Sequence, residues 1–61
     1  MSKDRIQNTI NLLCEAISEV GYAKGYFTTD SEKTIKASLE EVLASCREAI
    51  EVLEKVRDTS L

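Results

Sequence analysis

Three observations predict an all-α fold, an antiparallel two-helix hairpin that completes a helical bundle by homo-oligomerisation. Two apolar stripes step by four and three residues: Ile6, Ile10, Leu13, Ile17 and Val20 in the first half, and Ile35, Leu39, Val42, Cys46, Ala49, Leu53 and Val56 in the second. That spacing keeps the side chains on one side of an α-helix and matches the seam of a bundle. Pro is absent and Gly occurs twice, so almost nothing interrupts either helix. The chain has 61 residues, which is room for one small domain. Chains of this size bury only about 60% of the surface their unfolded form exposes, and many need a partner copy.

The single domain, residues 1–61, divides into a first helix over about 3–24, an elbow at 25–29 and a second helix over about 30–58. Ser2 or Asp4 can cap the start of the first helix, and Gly21 or Gly25 marks its end. Thr29 followed by Glu32 fits a capping box, and Asp30 adds negative charge at the positive end of the second helix. The tail Thr59-Ser60-Leu61 is expected to fray. An elbow centred near residue 27 makes the longer second helix overhang the start of the first. Val52, Leu53 and Val56 would then be bare in a monomer. Flanking apolar residues (Leu12, Cys14 and Ala16; Leu43, Ile50 and Val52) widen both stripes beyond what a two-helix seam uses. The oligomer interface is therefore expected to draw on Ile10, Leu13, Ile17, Leu39, Val42, Leu43, Cys46, Ile50, Leu53 and Val56, most simply as a four-helix dimer.

The net charge is −3, with three basic and three acidic residues in 1–29 and five basic against eight acidic in 30–61. Nucleic-acid binders usually carry a strongly basic patch, so duplex binding is disfavoured. An 18-residue apolar run and a basic, apolar leader are both missing from this sequence, so a cytoplasmic protein without a membrane span is expected. Cys14 and Cys46, with no histidine in the chain, give no metal site and read as reduced, core-facing thiols. Their axial offset of roughly 9 Å is too long for an intrachain disulfide, while a Cys46 bridge between subunits stays open. The carboxylates Glu40, Glu41, Glu48, Glu51 and Glu54 read as a solvated helix face. The expectation is a non-enzyme with no catalytic residue and no cofactor.

The elbow is the candidate ligand site. Tyr22, Tyr26 and Phe27 fall within six residues, beside Lys24, Thr28 and Thr29, with Lys33 and Lys36 following. Aromatic faces stack on bases, while lysines, hydroxyls and helix-start amides suit phosphate. The alternative is that the aromatics plug the end of the bundle and the lysines are solvated. Arg47 sits beside the seam, either in a surface salt bridge with Glu40, Glu48 or Glu51 or at an interface where it could meet an anion.

The stretch Leu39-Glu40-Glu41-Val42-Leu43-Ala44-Ser45-Cys46-Arg47-Glu48-Ala49-Ile50 resembles the helical hairpin of phage immune-evasion proteins that blunt the CBASS and Thoeris defences. The resemblance implies an oligomer that sequesters an anionic cyclic nucleotide between hairpins without turning it over, in the host cytoplasm, with Arg47 as a phosphate contact. The second class of function is a protein-interaction module, an inhibitor or adaptor that offers its apolar seam or aromatic elbow to a host protein. The architecture is also similar to the small RNA-binding hairpin dimer that controls plasmid copy number, although the outer face of the second helix here is acidic.

Overall fold

The computed structural model describes residues 3–59. Two helices, α1 (Lys3–Lys24) and α2 (Lys33–Thr59), run antiparallel, and their linker ends in a 3-10 turn at Asp30–Glu32. The cap expected at Ser2 and the tail residues Ser60 and Leu61 lie outside the described residues. Thr59 is the last residue of α2, and its Oγ1 donates to the Lys55 carbonyl at 2.8 Å.

Of the two glycines expected to mark the end of α1, Gly25 follows its last residue, without a left-handed cap. The helix continues through Gly21 to Lys24, and no described glycine has a positive φ. The amides of Gly25, Tyr26 and Phe27 donate instead to the carbonyls of Tyr22, Ala23 and Lys24 at 3.1, 3.0 and 3.2 Å. These i→i+3 bonds tighten the last turn and satisfy its free carbonyls, so no left-handed residue is required.

The helices are tied at both ends. Arg57 Nη1 donates to Gln7 Oε1 at 2.8 Å, and Lys24 Nζ lies 3.7 Å from Glu40 Oε1. Both pairs join positions whose numbers add to 64, so the fold reverses around residue 32 rather than 27. The linker and 3-10 turn climb past the end of α1 before the chain comes back. This corrects the expected overhang: the first turns of α2 project beyond α1, while Val52, Leu53 and Val56 lie alongside it. The same register brings Cys14 level with about residue 50, an offset from Cys46 of about 6 Å at the helical rise. Both thiols are free; Cys14 is exposed rather than core-facing, and Cys46 is half-buried.

The core is thin. Among the described residues the buried apolar ones are Ile6, Ile10 and Leu43, at 1%, 5% and 4% exposure. The strip of α2 turned toward α1 is Leu39, Leu43, Cys46, Ile50, Leu53 and Arg57, all buried or half-buried. It takes only half of the apolar stripe together with its flanking row. The other half, Ile35, Val42, Ala49 and Val56, recurs every seven residues and turns outward, with Ile35, Val42 and Val56 at 45%, 46% and 41% exposure. The molecule measures 49 × 14 × 12 Å, and its radius of gyration of 14.4 Å exceeds the about 10.5 Å of a compact chain of this length. No helix among the described residues is long and apolar enough to cross a membrane.

Candidate functional site

Two places on the hairpin can bind something: an open apolar face along its side and the aromatic elbow at one end. The face is built on the outward row of α2. Small residues alternate with it, so that Leu13, Ser38, Glu41, Val42, Ser45, Cys46 and Ala49 line a groove of about 530 Å³. Helical spacing continues the face across α1 through Leu13, Ala16, Val20 and Ala23, all half-buried, and Leu12, which is 65% exposed. Of the residues expected at an oligomer interface, Ile10 and Leu43 are used inside the hairpin, which corrects that part of the expectation. Ile17, Leu39, Ile50 and Leu53 are half-buried in or beside the α1–α2 seam. Leu13, Val42, Cys46 and Val56 are left to the open face or its border. Sequence reasoning missed that the four-three stripe would be split between two faces. The sevenfold recurrence of Ile35, Val42, Ala49 and Val56 is the signal that could have shown it.

At the elbow the three aromatics part company. Phe27 turns inward and is half-buried, while Tyr22 and Tyr26 are 73% and 66% exposed. The two tyrosine rings meet edge to face, with centroids 5.4 Å apart and planes at 88°. The neighbouring Tyr22 hydroxyl, then desolvation, raises the Tyr26 phenol above its ordinary value. Thr28 and Lys36 are exposed. Lys24 is engaged with Glu40, and Lys33 with Asp30 at 3.6 Å.

The start of the second helical segment is already occupied by a carboxylate. Thr29, extended at φ −88° and ψ 160°, donates its amide to Glu32 Oε1 at 3.2 Å and its hydroxyl to the same oxygen at 2.6 Å. The Thr29 hydroxyl and then its amide hold the Glu32 carboxyl below the usual carboxylate value. An amide that a phosphate would use here is therefore taken. The sequence signature of a capping box and the helix-start phosphate site compete for one donor, and the box has it.

Arg47 does not join the elbow. It lies fourteen residues beyond Lys33, about 21 Å along the axis of α2. It is exposed and shares a helical row with Glu40, Glu51 and Glu54, seven before, four after and seven after it. That row lies on the other flank of α2 from Val42 and Ala49, so its expected position at an interface between hairpins is corrected. Glu40 pairs with Lys24, not with Arg47. No family model matches this chain, and no curated protein or solved structure matches it.

Proposed function

We propose that this chain is a non-catalytic binding protein that works as a homo-oligomer, its hairpins meeting on the open face to form a four-helix bundle in the cytoplasm. The outward row of Ile35, Val42, Ala49 and Val56 carries this reading. An apolar row that recurs every seven residues on a helix suits packing against another helix, and α1 covers a different strip. Thermal unfolding followed by circular dichroism over a hundredfold range of concentration tests it. Mass action makes the midpoint of an oligomer rise with concentration. The wild type should show that rise, and Val42→Glu should lower the midpoint and flatten its dependence. A concentration-independent midpoint for the wild type would sink the reading.

A second reading concerns what the oligomer holds. The exposed Tyr22–Tyr26 pair favours stacking on a planar ligand, and the resemblance of residues 39–50 suggests an anionic cyclic nucleotide kept without turnover. Of the elbow set, Lys36 and Thr28 are exposed and outside the ion pairs found among the described residues. Calorimetric titration with a panel of cyclic mono- and dinucleotides should give salt-sensitive binding that Tyr22→Ala and Tyr26→Ala each weaken by roughly tenfold, following the about 1–3 kcal/mol of a base–aromatic stack. Ligand recovered chemically altered, or no heat from any member of the panel, would contradict it and favour a protein partner at the elbow.

A further inference from the structure

The open face is charged unevenly from end to end. Along its α1 edge, Arg5, Leu12 and Glu19 follow one another every seven residues, and all three are exposed. Along its α2 edge, Glu41, Glu48 and Lys55 do the same. Arg5 and Lys55 lie toward the end where Gln7 meets Arg57, whereas Glu19 and Glu41 lie toward the end where Lys24 meets Glu40. None of these four takes part in the ion pairs found among the described residues. One end of the face thus has a basic rim and the other an acidic rim.

Two ways of closing the face with a second copy use the same apolar row. A twofold axis parallel to the helices lays α1 on α2 of the second copy at equal height. Basic rim then meets basic rim, and acidic meets acidic. A twofold axis perpendicular to the helices turns the second copy end for end, with α1 on its α1 and α2 on its α2, both antiparallel. Each basic rim then covers an acidic one.

We propose that the second copy docks end for end, with Arg5 close to Glu19 of the second copy, Lys55 close to Glu48 of the second copy, and Leu12 and Val52 near the twofold axis. This rests on the homo-oligomer reading and adds its geometry. Rim charges of this kind decide orientation more than affinity, because the alternative docking puts like charges together. Apolar matching agrees, since the same axis sets the small Ala49 over Val56 of the second copy. The area fits as well. The chain exposes 4724 Å², against about 4,000 Å² for a folded monomer of its mass, and the excess of about 700 Å² is close to the about 800 Å² that each partner buries in a standard interface.

Charge reversal and cross-linking test the arrangement, with sedimentation giving the mass alongside. At low salt, Arg5→Glu should raise the dimer dissociation constant several-fold, and adding Glu19→Arg should restore it. The parallel-axis arrangement gives the opposite sign, because Arg5→Glu then relieves repulsion from Lys55. In a chain carrying Cys14→Ser and Cys46→Ser, Leu12→Cys should oxidise to a covalent dimer. A dimer that Arg5→Glu tightens, or in which Leu12→Cys links only to chains carrying Val52→Cys, overturns the end-for-end docking and leaves the homo-oligomer standing. A monomeric mass for the unmodified chain overturns both.

Discussion

Gly21 stands within α1 with nothing inside 4 Å of where a Cβ would be, and its backbone is not left-handed. Its only conformational effect there is the entropy it adds to the unfolded chain. Gly21→Ala should therefore stabilise the fold by about 0.5–1 kcal/mol, measured by urea unfolding. Glu32 supports a different prediction. Its folded pKa is lowered, so its contribution is present above the ordinary carboxylate value of about 4.3 and is lost as pH falls through the lowered one. The stability difference between wild type and Glu32→Gln should be positive at pH 7 and vanish in acid; a difference that persists at low pH would show that the cap is not electrostatic. The Thr29–Glu32 bonding was legible in the sequence because both partners lie within one turn. The end of α1 at Lys24, just before Gly25, was legible too, but the way it closes was not: glycine permits a left-handed cap without requiring one, and three i→i+3 bonds close the helix instead.

At the scale of the elements, the two stripes were enough to place two helices, but they left two things open. The first is the register. Apolar spacing along each helix is indifferent to sliding one past the other, and it was the polar contacts at the two ends, Arg57 with Gln7 and Lys24 with Glu40, that fixed it. The second is rotation. On α2 three neighbouring rows are largely apolar, so any adjacent pair can face α1. The rows of Leu39 and Leu43 do so, and that of Val42 does not. Leu43 is the best buried residue of α2. Leu43→Ala should lower stability by about 2–5 kcal/mol in chemical denaturation, the range for truncating a packed leucine. Glu40→Gln, which removes an ion pair whose side chains are 31% and 54% exposed, should lower it by less than about 1 kcal/mol.

The whole molecule is a rod with a thin core, one mixed-charge flank and one apolar flank. Its candidate site was legible only in part. The aromatic cluster at the elbow was visible as three residues close in sequence. That Phe27 would turn inward while both tyrosines stayed out depended on the path of the linker. Arg47, read from the sequence as a residue beside the seam, is set apart from the elbow lysines by helical rise and rotation. The open face leaves Ile35, Val42 and Val56 exposed on a single hairpin, which is the basis of the proposed oligomer. Sedimentation equilibrium of the unmodified chain at micromolar concentration tests this most directly. An oligomer closed on the open face has a mass of twice the 6.8 kDa chain, or a higher even multiple, and dissociates on dilution. A folded, helical species that stays at 6.8 kDa across the concentration range would contradict it.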